Sequence, residues 1–355
     1  MTIQEIFEKT IASNASDIHM VVGIPPVIRV DGRLLQLSYP PLTENDVESM
    51  VYSILSPEQK EMLLNNKCID FSYGFGGGDY GAKGRFRINL YFQRGTIAAA
   101  FRLLPVKVKT IEELRLPQIC HSFATLKQGF ILVTGPTGHG KSTTIASIIN
   151  EINLSQERNI VTVEDPIEYI YPKAKSIISQ RELGIDTLSW NESLKSSLRE
   201  DPDVLLIGEM RDPESISSAI TVAETGHLVF STLHTNSAAQ SIDRIIDSFP
   251  EKQQNQIRTQ LAASLGGIIS QRLIPKMDGG RIVACEILIA NNAVKSNIRE
   301  GKTHLIDSII ETSQDVGMIP LEASLAALVR EGTITLDVAR SYALRIDTFM
   351  QMIGS

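Results

Sequence analysis

The stretch GPTGHGKSTT, residues 135–144 of this 355-residue chain, carries Gly135, Gly140, Lys141 and Ser142 at the spacing G-x-x-x-x-G-K-[ST]. An apolar run, GFILVTG, leads into it, and the helix-forming run KSTTIASIINEI leads out of it. A strand, a glycine-rich turn and a helix in that order bring backbone N–H groups together at a helix N-terminus, where they can hold phosphate oxygens. On this reading Gly135, Thr137, Gly138, His139 and Gly140 form the cradle and Lys141 reaches the β- and γ-phosphates. The Ser142 hydroxyl meets Mg2+, and Thr143 follows as a further binding position. His139 stands where the backbone makes the contact, so it reads as a tolerated side-chain variation. A pH-sensing role would require a partner for the ring.

Phosphoryl transfer also needs carboxylates, to hold the metal's water shell and to orient the attacking water. Two apolar runs end in acids: NIVTVEDPIEYI delivers Glu164 and Asp165 before a proline, and DPDVLLIGEMRD delivers Glu209 after Val204, Leu205, Leu206 and Ile207. In an open parallel sheet the strand C-termini line the ligand crevice, so both acids are expected beside the phosphate loop. Gly208 occupies the place where many phosphate-loop enzymes carry the metal-binding Asp, which leaves Glu209 to serve the metal alone or with Glu164. A fourth run, GHLVFSTLHTNSA, ends in Ser231, Thr232 and His234, polar groups able to register a γ-phosphate and couple its loss to motion.

Further out, the chain reads as two styles. Up to about residue 100 it is mixed: a short amphipathic helix, a hairpin in PPVIRVDGRLLQL around Asp31 and Gly32, and a polar helix near 43–65. A strand RFRINLYFQ follows. In it Phe86, Ile88, Leu90 and Phe92 alternate with Arg85, Arg87, Asn89 and Tyr91, so the arginines point off the apolar face. The GFGGGDYGAKG before it is a hairpin loop, TIAAAFRLLP after it is another strand ending near Arg102, and PVKVKTIEELRLP has the composition of a linker. Beyond residue 125, GFILVTG, NIVTVEDP, VLLIGEM, HLVFSTLH and RIVACEILI are near-continuous apolar runs suited to a largely parallel sheet covered on both faces. After about 290 the pattern is helical, with Leu321, Leu325 and Leu328 on one stripe.

Composition narrows the class. The three cysteines, Cys68, Cys120 and Cys285, are far apart and read as buried thiols, against a cysteine-based zinc site. The N-terminal MTIQEIFEKT lacks the basic flank and apolar run of a signal peptide, and no later stretch is long and apolar enough to span a bilayer, so a cytoplasmic protein is expected. A net charge of −7 and a pI near 5.5 remove the overall attraction to nucleic-acid backbones on which nonspecific binders depend.

The ordered series of phosphate loop, Glu-Asp-Pro strand, Gly-Glu strand and Thr-Leu-His strand resembles the secretion and pilus ATPase superfamily, with its Walker A, Asp box, Walker B and His box. ASDIHMVVGIPPVIRVDGRL, RFRINLYFQRG and GMIPLEASLAALVREGTIT extend the likeness over nearly the whole chain, toward the type IV pilus retraction ATPases. The resemblance implies an α/β protein with an N-terminal PAS-like α/β domain (1–103), a linker (104–117), a C-terminal RecA-like P-loop ATPase core (118–290) and C-terminal helices (291–355). It also implies a homo-hexameric ring that uses ATP and Mg2+ to drive pilin disassembly and twitching motility. Such a ring would sit at the inner face of the cytoplasmic membrane, held there by an inner-membrane pilus platform protein, with no nucleic-acid partner.

Carried across by motif, Lys141 and Ser142 are phosphate and metal ligands, Glu164 activates water, Glu209 is the Walker B acid and metal ligand, and His234 is the His-box residue. Arg85, Arg87 and Arg102 are the candidates to neutralise transition-state charge. Two departures stand out: His139 replaces a common Ser, and AVKSNIREGKTH keeps only Ala293, Ile298, Arg299 and Glu300 of the retraction-type segment. The alternatives are an assembly or type II secretion ATPase of the same superfamily, a RecA-like nucleic-acid motor, and a nucleotide-binding module that does not hydrolyse. The first usually carries an extra N-terminal domain and a four-cysteine insert; the last would leave Glu164 and Glu209 without a purpose.

Overall fold

The computed structural model describes residues 1–30, 32–76, 83–105, 107–210 and 212–354. The chain divides into two units, Met1–Val108 with Asp165–Pro172, and Lys109–Glu164 with Lys173–Ser355. The mixed α/β class expected from the sequence is what is observed.

In the first unit, α1 (Ile3–Ala12) precedes β1 (Asp17–Met20), β2 (Val27–Val30) and β3 (Arg33–Gln36); then come α2 (Glu44–Tyr52), α3 (Pro57–Asn66), β4 (Cys68–Phe75), β5 (Gly84–Gln93) and β6 (Thr96–Leu104). The sheet order is β3-β2-β1-β6-β5-β4, antiparallel at every pairing. The single polar helix expected over 43–65 is two helices. Ser56 accepts from the Gln59 amide while the Gln59 side chain accepts from the Ser56 amide, a capping box that starts α3 with Pro57 in its first turn. Phe7 of α1 anchors the core, stacking on Phe86 at 4.2 Å and meeting Phe75 and Phe101 edge-on at 5.5 Å. The hairpin around Gly32 is present as β2 and β3; Asp31 and the centre of the 74–84 loop lie outside the described residues.

The second unit holds α4 (Ile119–Thr125), β7 (Gly129–Thr134), α5 (Lys141–Ser155), β8 (Asn159–Glu164), β9 (Ile177–Glu182), α6 (Trp190–Ser197), β10 (Val204–Ile207), α7 (Pro213–Glu224), β11 (Leu228–Leu233), α8 (Ala238–Asp247), α9 (Glu251–Ser264), β12 (Leu265–Pro275) and β13 (Arg281–Ile289). α10 (Asn292–Arg299), α11 (Ile306–Thr312), α12 (Leu321–Arg330), α13 (Leu336–Tyr342) and α14 (Ile346–Gly354) follow. The sheet order is β13-β12-β7-β11-β10-β8-β9, and every pairing is parallel except β12 with β13. The run RIVACEILI is therefore an antiparallel edge strand. Its near-continuous burial comes from helix α12 packing over it and not from a parallel crossover. β7, β10 and β11 are buried at every position, as strands covered on both faces must be.

Cys120 and Cys285 are buried free thiols, but Cys68 is exposed, which corrects the expectation for all three: it opens β4 on the face opposite Ile69, away from the core. Among the described residues no helix is long and apolar enough to cross a membrane.

Candidate functional site

β7 ends in the loop 135–140, and α5 begins at Lys141. The glycines are needed for two separate reasons. Gly135 has φ +140°, and a Cβ there would lie 2.4 Å from the Gln271 carbonyl oxygen; Gly138 and Gly140 have φ +79° and +82°, left-handed values costly for other residues. No side chain caps the α5 N-terminus at Gly140. The first-turn amides therefore have no side-chain acceptor at the cap, and with the buried Lys141 ammonium they suit a polyphosphate. Lys141 Nζ donates to the carbonyls of Gly135 (2.8 Å) and Pro136 (3.1 Å) and lies 3.4 Å from His234 Nδ1.

The neighbouring strand ends converge on this loop. In the parallel register Ile207 is opposite Val163 on one side and Ser231 on the other, so Glu164 and Thr232 lie at the level of Gly208, and Glu209 follows one residue beyond. His234, just past β11, receives Thr137 Oγ1 at Nδ1 (3.2 Å) and presents Nε2 to Glu209 Oε1 at 3.1 Å. Because an ammonium can only donate, the Lys141 contact assigns Nδ1 as acceptor and Nε2–H as the donor to Glu209. Glu164, 9 % exposed, is held through Oε1 by Thr162 Oγ1 (2.7 Å) and Gln180 Nε2 (3.2 Å).

Gly208 has a steric reason. A Cβ there would sit 3.3 Å from both Glu164 Cα and the Val163 oxygen and 3.5 Å from the Trp190 ring, so the Asp common elsewhere would push the two acid-bearing strand ends apart. Thr232 Oγ1 donates to the Gly208 carbonyl (2.7 Å) and Ser231 Oγ to that of Ile207 (2.8 Å), tying β11 to β10 at the crevice. Among the described residues no group of three or more His, Cys, Asp or Glu side chains is placed to hold a metal ion. Ser142 is the second residue of α5 and Glu209 accepts from His234 Nε2; a Mg2+ held mostly by phosphate and water would need only one or two such protein donors.

His139 is engaged through its side chain as well as its backbone. Its carbonyl accepts from Gln271 Nε2 (2.6 Å) and its Nδ1 from the Leu273 amide (3.0 Å). Burial, then the nearby Arg272, Lys141 and Arg281, hold its pKa below the ordinary histidine value.

The three arginines lie in the first unit. Arg87 on β5 stands directly opposite Arg102 on β6. Arg102 is exposed and donates to Asp17 Oδ1 at 3.1 Å. Burial raises the Asp17 carboxyl, but the Ser16 hydroxyl and Arg102 outweigh it and bring it below the usual carboxylate range. Arg85 is not a surface group: it is 7 % exposed and donates to Ser72 Oγ at 2.6 Å across the β4–β5 ladder, which corrects its reading as a side chain free to point away.

Sequence reasoning passed over four supporting groups. Gln271 and Arg272 lie in β12; Arg272 Nη2 donates to the carbonyl (2.9 Å) and Oδ1 (3.1 Å) of Asn236, two residues past His234. Gln180 steadies Glu164, and Glu286 on β13 accepts from the Ala238 amide (2.7 Å) where α8 begins. A polar residue within an otherwise apolar strand was the available signal, because such a group is buried only when partnered.

Burial is the main cause that pushes Glu286 up to about 7; the Ala238 amide opposes it, Asp307 and Glu322 add to the rise, and Arg345 counters them. An acid raised on folding stabilises fully below the ordinary carboxylate range and loses that contribution as pH rises through about 7. This contribution is therefore expected to fall between about pH 4.5 and 7, by at most about 1.4 kcal/mol per unit. Glu286→Gln, which keeps an acceptor for Ala238, flattens that profile; denaturation midpoints against pH in both proteins check it, and parallel profiles would refute it.

Residues 102–329 match the family described as type II/IV secretion system protein. The chain is 43% identical over 343 residues to the "Type IV pilus retractation ATPase PilT" of Pseudomonas aeruginosa, covering 97% of this chain and 98% of that one. It is 46% identical over 319 residues to a twitching motility protein of Neisseria gonorrhoeae, covering 90% and 84%. A crystal structure of the pilus retraction motor PilT with bound ADP superimposes with a TM-score of 0.91 at 44% identity, covering 99% of both chains.

Proposed function

This chain belongs to the type II/IV secretion system protein family, and we propose that within it the protein is a homo-hexameric ATPase that hydrolyses MgATP to retract type IV pili. The observation that carries the enzymatic part is the line of contacts from the phosphate loop through His234 to Glu209. It joins the binding element to an acid on a different strand, an arrangement a passive binding module does not need. Full-length likeness to a retraction ATPase supports the direction of the work, as does identity of 46% to a twitching motility protein.

Bound nucleotide supplies the γ-phosphoryl group to be transferred and, with Mg2+, the charge that must be neutralised. The protein's own groups do the rest. The loop amides and Lys141 position the phosphates, and Lys141 leaves the carbonyls of Gly135 and Pro136 to do so. Ser142 and Glu209 would hold the metal's shell, which would supply charge neutralisation at the phosphates, while Glu164, oriented by Thr162 and Gln180, accepts a proton from the attacking water. His234 loses the Lys141 contact when that ammonium turns to phosphate, while its bonds to Thr137 and Glu209 remain and relay occupancy from the loop to β10 and β11. Arg85, Arg87 and Arg102 remain the arginines proposed to complete a site by neutralising charge; the exposure of Arg102, opposite Arg87, supports those two over Arg85, which is buried and donates to Ser72. We assign residues 1–103 to a PAS-like domain, 104–117 to a linker, 118–290 to the RecA-like core and 291–355 to a C-terminal helical region; by its contacts the chain divides at Val108/Lys109, inside that linker. The ring acts at the cytoplasmic face of the inner membrane through a platform protein.

The test is genetic. In the source organism, Glu209→Gln at the native locus is expected to leave cells with excess surface pili and no twitching, scored by shear-recovered pilin and by colony spreading. Cells without pili would make the protein an assembly motor and overturn the retraction reading.

A further inference from the structure

β12 pairs with β7 only as far as Ser270 opposite Thr134. Beyond that point β12 runs on to Pro275, while β7 gives way to the phosphate loop at Gly135. On its other side β12 stays paired, with Leu273 opposite Val283 of β13. The edge of β12 that has lost its strand partner faces the loop, and two contacts occupy it: Gln271 Nε2 donates to the His139 carbonyl (2.6 Å), and the Leu273 amide donates to His139 Nδ1 (3.0 Å). A backbone N–H left without a partner at a part-buried position is costly, so this acceptor matters.

We infer that His139 is a positioning residue of the phosphate loop, its imidazole Nδ1 standing in for the strand carbonyl that β7 no longer supplies and so fixing the loop's height on β12. Three features support this assignment. The carbonyl and the ring of one residue are both pinned to β12, which fixes the peptide at 139 in two directions. Gly135 is pressed against the same strand, its missing Cβ leaving room for the Gln271 oxygen, so both ends of the loop are referenced to β12. A serine hydroxyl at 139 is one bond too short to reproduce the Nδ1 position, whereas an Asn Oδ1 lies the same two bonds from Cβ.

The bond requires neutral Nδ1, because a protonated nitrogen would face the Leu273 N–H donor to donor. The charged groups facing the ring are Arg272 from β12, Lys141 from α5 and Arg281 from β13, all cationic. With burial they lower the histidine's pKa and keep the anchor formed at neutral pH. The sign follows: the contribution is complete above about pH 6.5 and is lost as pH falls through the lowered pKa.

This inference rests on the nucleotide-binding reading of the loop, and the experiment separates the two. MgADP affinity is measured by calorimetry on the full chain between about pH 5 and 8, for wild type, His139→Ser, His139→Asn and Lys141→Ala. His139→Ser is expected to bind about 5- to 20-fold more weakly at pH 7.5, the range set by one unsatisfied donor, while His139→Asn stays within about twofold. Titration of the ligand's own phosphates is common to all four proteins, so the ratio of wild type to His139→Asn reports the imidazole alone. That ratio is expected to decline in acid. Wild-type affinity in His139→Ser at pH 7.5, or a ratio independent of pH, would overturn the positioning role while a weakened Lys141→Ala keeps the nucleotide site standing. Wild type that binds no MgADP, or binds it no better than Lys141→Ala, would overturn both.

Discussion

Lys141→Ala is expected to reduce ATP turnover by about a hundred- to a thousandfold, the usual consequence of deleting one preorganised donor aimed at developing charge. The size of the effect comes from where the ammonium sits. It is 8 % exposed, held by the carbonyls of Gly135 and Pro136, and 3.4 Å from His234 Nδ1. An electrostatic contact in such a site is screened far less than one in water. In the proposed role Lys141 would contact phosphate in the ground state as well as in the transition state, so MgATP affinity is expected to fall together with turnover. The fold has a smaller stake: the two carbonyls lose a donor, and a modest drop in the thermal midpoint is expected. Steady-state phosphate release, with nucleotide binding measured in parallel, checks this. A variant that hydrolyses ATP at the wild-type rate would remove Lys141 from the site.

How far these residues could be read from the sequence differs from group to group, for physical reasons. Gly135, Lys141, Glu164, Glu209 and His234 were legible because a local motif or the end of an apolar run marks each one, and a parallel sheet gathers such ends at one edge. The direction of β13 was not legible: RIVACEILI reads the same whether its buried neighbours run parallel or antiparallel. β12 was missed altogether. Its run LGGIISQRLIP contains two glycines that look like a break, yet a Cβ at Gly267 would stand 2.6 Å from the Phe123 ring and one at Gly266 2.8 Å from Ile131, so the glycines are there for close packing. With the strand went Gln271 and Arg272, whose partners are 132 and 36 residues away in sequence, and with them the anchoring of His139. The boundary of α3 was legible in principle, since Ser56-Pro-Glu-Gln59 spells a capping box.

The second large effect separates chemistry from binding. Glu164→Gln is expected to leave MgATP affinity within about twofold while lowering turnover by about 10²- to 10⁴-fold, the range for loss of a positioned general base. The substitution preserves the shape of the side chain, and the amide oxygen can still accept from Thr162 Oγ1 and Gln180 Nε2, the donors that now orient the carboxylate at 2.7 and 3.2 Å. What it removes is the capacity to take a proton. Glu209→Gln should behave differently: Glu209 accepts from His234 Nε2, and on the proposed role it would also serve the metal's shell, so its loss is expected to raise the Mg2+ concentration needed for half-maximal activity. Single-turnover hydrolysis over a Mg2+ titration distinguishes the two. If Glu164→Gln turns over at the wild-type rate while Glu209→Gln does not, the water-activating role passes to Glu209. Glu164, buried at the end of β8 beside Gly208, would then be a group that holds the crevice in shape and takes no part in moving the proton.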